Sequence, residues 1–300
     1  MRNSRFTNKE RCHVVKAILS AMRIEQWYKN LVIFVGIVFS LNISNGAMLI
    51  RTILAFGVFC ILSSAVYLIN DIHDVEMDRL HPKKRYRPIP SGKLSINLAK
   101  ILSGLFLVSS LFSAYLLGRL FFIICLLFLL QNLLYTFRLR SIVIVDVIVI
   151  AIGFVWRAIA GTVVINVRTS PWLIICSFLL ALFLALNKRQ IEMRIEFQAE
   201  KHRKTLGLYS KQLIDMFLNI TTASLLISYM IYTFESNHIY MMATIPFAFI
   251  GIFRYIQLAR ETKNLSNNAI FIFKDRLTQI NILLWILTSL IALYDVLPAP

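Results

Sequence analysis

Nine apolar runs constrain this chain most, because a helix needs roughly 20 predominantly apolar residues to cross the hydrocarbon core of a bilayer. They fall at residues 30–46, 52–69, 98–117, 120–137, 141–165, 171–187, 213–234, 239–258 and 279–297. The expected fold class is therefore all-α, a polytopic membrane protein of nine transmembrane helices. Asn42, Asn45 and Gly46 dilute the end of the first run and make its boundary the least regular. Lys and Arg test the count independently, because they accumulate in cytoplasmic loops. Of the 32, 28 lie in the N-terminal stretch and in every second loop, three (Arg51, Arg119, Arg168) lie opposite, and Arg157 is inside the fifth run. This alternation predicts a cytoplasmic N-terminus and an outside C-terminus, and it makes most of the +17 formal charge a matter of topology. With 58% hydrophobic residues and a mean hydropathy of +0.71, a soluble domain and a nucleic-acid binder are both excluded.

The first 20 residues are charged and lack an apolar core, so no cleavable signal peptide is expected. Four scattered cysteines (Cys12, Cys60, Cys125, Cys176) have no metal-site or disulfide spacing. Neither a phosphate-cradling glycine loop, a zinc-peptidase motif nor a nucleophile elbow occurs.

The chemistry concentrates at residues 70–93, directly after the second apolar run. Asn70, Asp71, Asp74 and Asp78 stand within nine residues, and Arg79, Lys83, Lys84, Arg85, Arg87 and Lys93 follow. Spacings of three and four place the four oxygen-bearing side chains on one face of a helix. Oxygen ligands without sulfur or imidazole suit Mg²⁺, which substrate phosphates usually complete. His73 and His81 are not needed in that set. The competing reading is an acidic helix end paired with a basic loop as surface salt bridges, and it is disfavoured where carboxylates end a membrane span. Pro82, Pro88 and Pro90 forbid a continuing helix. The expected result is a rigid basic loop beside the carboxylates, suited to a diphosphate.

Elsewhere the polar residues are sparser. Residues 1–29 form a tail and an interfacial segment, in which Trp27 and Tyr28 suit headgroup level and Arg23 and Lys29 can reach a phosphate. Asp146 and Arg157 lie eleven residues apart in the fifth run, nearly three helical turns. They share a face but are too distant to touch, so each needs another partner inside the membrane. After the sixth run, Lys188 and Arg189 mark the membrane exit, and Glu192, Glu196 and Glu200 follow at four-residue spacing. Tyr209, Lys211 and Asp215 read either as helix capping or as site lining. Asp275 and Arg276 read as a loop salt bridge.

NDxxDxxxD at the end of the second run, followed by RPIPSG, in a nine-run chain with a second polar loop after the sixth, resembles the UbiA superfamily of intramembrane prenyltransferases. The resemblance implies a single domain over residues 1–300, nine helices around a central cavity, and Mg²⁺ with a diphosphate at a cytoplasmic mouth. Aromatic prenyltransferases of that superfamily carry a second aspartate-rich motif after the sixth span, where this chain reads NKRQIEMR. That basic loop, the HPKKRYRPI continuation, RxxQWxKN at 23–30, RAIAG at 157–161, KRxxE at 188–192 and DRLxQ at 275–279 are similar to the branch typified by decaprenyl-phosphate phosphoribosyltransferases.

The resemblance implies an Mg²⁺-dependent glycosyltransferase moving 5-phosphoribosyl from 5-phosphoribosyl 1-diphosphate to a long-chain polyprenyl phosphate, with the bilayer as its medium and no nucleic-acid partner. In this reading Asp71, Asp74 and Asp78, assisted by Asn70, hold the metal and serve catalysis. Lys83, Lys84, Arg85 and Arg87 hold the diphosphate, Lys188 and Arg189 the 5-phosphate, Arg157 and Lys29 the lipid phosphate, and Tyr209 lines the site. A bacterial inner membrane is the expected location. Two alternatives stand beside it. One is a prenyltransferase acting from a polyprenyl diphosphate on an aromatic or other acceptor, with Glu192 and Glu196 replacing the missing aspartates. The other is a secondary transporter using Asp146 and Arg157, although the chain lacks the internal repeat that transporters commonly show.

Overall fold

The computed structural model describes residues 8–195, 209–236, 238–261 and 275–294. Its helices are α1 (Asn8–Ala21), α2 (Ile33–Phe39), α3 (Gly46–His73), α4 (Val75–Leu80), α5 (Ile96–Leu117), α6 (Arg119–Phe137), α7 (Val145–Val163), α8 (Pro171–Ile195), α9 (Lys211–Glu235), α10 (Ile245–Glu261) and α11 (Arg276–Leu293). The main 3₁₀ segments are Ile24–Val32, Lys84–Tyr86 and Ile239–Thr244. Among the described residues there is no strand, and eight helical stretches are long and apolar enough to cross a membrane.

The ninth expected helix differs. The run at 30–46 divides between the end of the Ile24–Val32 segment and the seven-residue α2, and the chain then turns with Leu41 at φ 61°. Asn45 caps the next helix by accepting from the Met48 amide (3.2 Å), so α3 starts at Gly46, six residues before the apolar run begins. The three polar or small residues that dilute the run become a turn and a cap. At 28 residues α3 is about 42 Å long. It therefore exceeds a hydrocarbon core of about 30 Å by about two turns.

The chain forms two compact units. The first comprises residues 1–38, 42–138 and 156–168. Its core joins Ile33, Ile37, Phe59, Leu62, Phe121, Phe128 and Val164. A second cluster (Leu68, Ile89, Leu94, Ala99) lies under the basic loop and pins it. The outer face of α5 is exposed at Ile101, Leu105, Val108, Phe112 and Leu116. A helical stripe of bare apolar residues suits lipid rather than water. One residue, Gly118 at φ 151°, makes the whole turn between α5 and α6, a conformation open to glycine. Arg51 closes the helix ends on that side, donating through Nε to the Val164 carbonyl (2.7 Å) and through Nη2 to the Leu117 carbonyl (2.6 Å). It satisfies terminal carbonyls that have no intrahelical donor.

A Cβ on Gly161 would sit 2.0 Å from the Ile33 carbonyl oxygen, and one on Gly36 would sit 2.9 Å from the Gly161 carbonyl carbon. Backbone approaches backbone here, as small residues allow in membranes. Gly161→Ala is accordingly expected to destabilise the protein by about 1–3 kcal/mol. Thermal unfolding in detergent checks this.

The second unit comprises residues 39–41, 139–155 and 169–300. Its core joins Val147, Phe183, Leu186, Ile191, Tyr209, Ile214 and Tyr255. Ser210 caps α9 through the Leu213 amide (3.1 Å), and Asp275 caps α11 through the Thr278 amide (2.9 Å). Asp275 also accepts from Arg254 (2.7 Å), and these bonds hold its carboxyl well below the usual carboxylate range. The expected loop salt bridge of Asp275 is thus a helix cap with Arg254 as its ionic partner.

Candidate functional site

The Ile24–Val32 segment lies antiparallel to the end of α3. Arg23 pairs with Asp71, Trp27 Nε1 donates to Ser64 Oγ (3.1 Å), and Asn30 Nδ2 donates to Cys60 Sγ (3.4 Å). Residues 23, 27 and 30 follow the spacing of one helical face. The sequence supplied that spacing; it did not identify Arg23 as the partner of Asp71.

Helix α3 is interrupted at Asp74 (φ −94°, ψ 6°), and α4 starts immediately after it. The single uninterrupted helix face expected for Asn70, Asp71, Asp74 and Asp78 is therefore broken. Asp71 and Asp78 turn to the same guanidinium nitrogen, Arg87 Nη1, at 3.1 and 2.6 Å. They are 1% and 2% exposed. Asp74 instead lies 2.9 Å from His73 Nδ1. The ion pairs of the competing reading do exist, but they are buried ones.

The basic loop divides by its contacts. His81 Nδ1 accepts from the Lys83 and Lys84 amides (3.1 and 3.2 Å) and so shapes the turn. Lys84 Nζ reaches to 3.8 Å from Asp78, and Arg87 holds both carboxylates. Lys83 and Arg85 are exposed, with the Arg85 guanidinium 4.8 Å from the Tyr86 ring centre. Buried Ile89 and Leu94 anchor the loop from below and thereby aim Arg87.

A second group of cations lies in the same unit. Arg157 is buried, donates through Nε to Asn30 Oδ1 (2.7 Å) and lies 4.7 Å over the Phe128 ring. Lys29 is partly buried, and its ammonium is pulled down to about 8 by desolvation, then by the charges of Arg157 and Arg23. Folded protein thus holds this proton less tightly than unfolded chain, whose lysines titrate near 10.4. Below pH 8 the cost is fully present, and it is relieved as pH rises from about 8 to 10.5. Lys29→Met is expected to stabilise the ligand-free protein by about 1 kcal/mol at pH 7, allowing for partial exposure. The gain shrinks above pH 8, which melting curves at pH 7 and pH 10 would reveal.

In the second unit Asp146 finds its partners in Arg189 and Tyr209. Arg189 Nε donates to Asp146 Oδ2 (3.0 Å), and the Tyr209 hydroxyl donates to Asp146 Oδ1 (2.8 Å). Arg189 also bonds Glu192, and Lys188 Nζ lies 3.9 Å from Glu192. Tyr209 accepts from the Ile144 amide (2.6 Å), supporting a β-branched residue at φ 70°. Burial, with the bond to Asp146, pushes the Tyr209 hydroxyl up to about 12, so it stays a donor. Glu196 and Glu200 lie outside the described residues.

Among the described residues no three His, Cys, Asp or Glu side chains converge as a complete metal cage. Two carboxylates facing one cation nevertheless fit Mg²⁺, which commonly takes one or two carboxylates and completes its shell with substrate phosphates.

The chain matches the UbiA prenyltransferase family over residues 31–288. It is 30% identical to decaprenyl-phosphate phosphoribosyltransferase of Mycolicibacterium smegmatis, covering 94% of each chain. The protein of the same description from Mycobacterium tuberculosis is also 30% identical, over 92% of this chain and 94% of that one. A UbiA homolog from Archaeoglobus fulgidus, solved bound to DMAPP and Mg²⁺, has the same fold (TM-score 0.73, 19% identity, 93% of this chain and 99% of that one). With eight membrane-length helices among its described residues and a family match across most of its length, the chain belongs to the UbiA prenyltransferase family and is an integral-membrane transferase.

Proposed function

We propose that this protein transfers 5-phosphoribosyl from 5-phosphoribosyl 1-diphosphate to a long-chain polyprenyl phosphate. The observation that carries this reading is a second cationic group, Lys29 with Arg157, in the same unit as the Asp71–Asp78 pair. A phosphate acceptor, which can carry two negative charges, accounts for two cations, whereas the single carboxylate of an aromatic acid needs only one. The names and identities of the relatives support the same choice.

The acceptor phosphate oxygen forms a bond to ribose C1 as the C1–O bond to diphosphate breaks, and the electron pair leaves with the diphosphate. The acceptor is already an anion, so no general base is required. Asp71 and Asp78 would hold a bound Mg²⁺, which would neutralise charge on the departing diphosphate, and Asp74 and Asn70 would accept hydrogen bonds from its water ligands. Lys84 and Arg87 grip diphosphate oxygens. Arg157 and Lys29 orient the lipid phosphate, and catalysis is mainly positioning and electrostatics. Lys83 and Arg85 form an exposed basic rim, and Lys188 is the second unit's candidate phosphate ligand. Arg189 and Tyr209 hold the buried Asp146 and are not assigned to substrate. The basic loop faces the cytoplasm of a bacterial cell.

The test is purified protein in detergent with Mg²⁺, labelled 5-phosphoribosyl 1-diphosphate and a polyprenyl phosphate, read by mass analysis of the lipid. A phosphoribosylated lipid that disappears with chelator is expected. Activity only with a polyprenyl diphosphate and an aromatic acid would establish the rival prenyltransferase instead. Membership of a transferase family disfavours the transporter reading.

A further inference from the structure

Asp71 and Asp78 have almost no contact with solvent, yet each already has cationic partners. Asp71 is paired with Arg23 and Arg87, and Asp78 with Arg87 and Lys84. The cations are the more open partners, with side chains of Arg23, Arg87 and Lys84 exposed by 20%, 28% and 42% against 2% and 3% for the carboxylates. Substrate arriving from solvent meets them first.

Formal charge then decides how a divalent cation can enter. Counting these ion-paired groups alone, Asp71 and Asp78 against Arg23, Lys84 and Arg87 sum to +1. A bare divalent cation would add two positive charges beside guanidinia, and burying unbalanced charge is costly. A diphosphate ester with three ionised oxygens, carrying one divalent cation, brings a single negative charge and closes the sum to zero. Guanidinium binds phosphate with the same fork that binds carboxylate. Arg23 also lies 4.9 Å over the Tyr67 ring, a surface that can hold its guanidinium when Asp71 is taken.

Resting on the reaction proposed above, we infer that Arg23 and Arg87 are stand-ins for the metal. In the ligand-free protein they hold Asp71 and Asp78 in place. They pass to diphosphate oxygens when the divalent cation arrives, so metal and diphosphate load together and metal alone is excluded. Arg23 thereby joins the diphosphate-binding residues.

The experiment uses detergent-purified full-length chain with Mn²⁺ as probe, followed by electron paramagnetic resonance and calorimetry, with and without inorganic diphosphate. Wild type is expected to bind Mn²⁺ alone weakly and Mn²⁺ with diphosphate tightly. A guanidinium beside a carboxylate lowers its proton affinity about 10- to 1,000-fold, and the same coupling acts on another cation. Arg87→Gln and Arg23→Gln, made separately, should therefore raise affinity for Mn²⁺ alone about tenfold or more and weaken joint binding with diphosphate. Mn²⁺ alone should raise the melting temperature of either variant but not of wild type. Arg23→Lys, which keeps the charge, should retain the weak binding of metal alone, and adding Asp78→Asn to Arg87→Gln should abolish the gain. Tight binding of Mn²⁺ alone by wild type, or affinity unchanged in both glutamine variants, would overturn the inference and leave the reaction standing. Failure of wild type to bind Mn²⁺ with diphosphate would overturn both. The two substitutions lie on different segments, so loss of one variant to misfolding leaves the other to decide.

Discussion

Asp71→Asn is expected to lower transfer about 10²–10³-fold, the usual effect of removing one preorganised electrostatic stabiliser. Asparagine keeps the size of the side chain but removes the charge that would attract Mg²⁺ and that now holds Arg23 and Arg87. Stability should fall as well, by about 1–3 kcal/mol, because the guanidinia lose a buried counter-charge and retain a hydrogen-bonding oxygen. Asp74→Asn separates the two effects. Asp74 lies against the more open His73, so its exchange should lower turnover more than it lowers the melting temperature. Purified variants assayed for lipid phosphoribosylation and melted in the same detergent provide both readings. Normal turnover in both variants would remove the metal assignment.

Arg189→Met is expected to destabilise the second unit by about 3–5 kcal/mol, the cost of removing the cation beside a buried carboxylate. The Asp146 and Arg189 side chains are 0% and 2% exposed, so water cannot replace the lost bond. Exchanging both residues, Asp146→Leu with Arg189→Met, should recover much of the loss, because an apolar pair of similar size avoids burying charge. Tyr209→Phe should cost about 1 kcal/mol, removing one donor to Asp146 and the acceptor for the Ile144 amide. Melting curves for the single and double variants form a cycle. Additive losses would mean that Asp146 and Arg189 do not act as a pair.

The sequence by itself determined the solvent in which this chain folds and most of its spans, since apolar length and the alternation of Lys and Arg are local quantities set by a bilayer. The caps at Asn45, Ser95 and Asp275 were left to the structure, because a short polar side chain at the end of an apolar run reads equally as a diluted span or a loop ion pair until the bare amides it meets are seen. The family was legible in NDxxDxxxD and the loop after it, because metal and phosphate chemistry demands particular residue types at short spacing. Partner choice over long separations was not legible. Arg23 reaches Asp71 from 48 residues away, Arg189 reaches Asp146 from 43, and Arg157 reaches Asn30 from 127. Nor did spacing alone reveal the break at Asp74, which directs Asp71 and Asp78 to one guanidinium and Asp74 to His73. A span announces itself through transfer free energy residue by residue, whereas the partner of a buried charge is set by which helices pack together, and that only the tertiary structure decided.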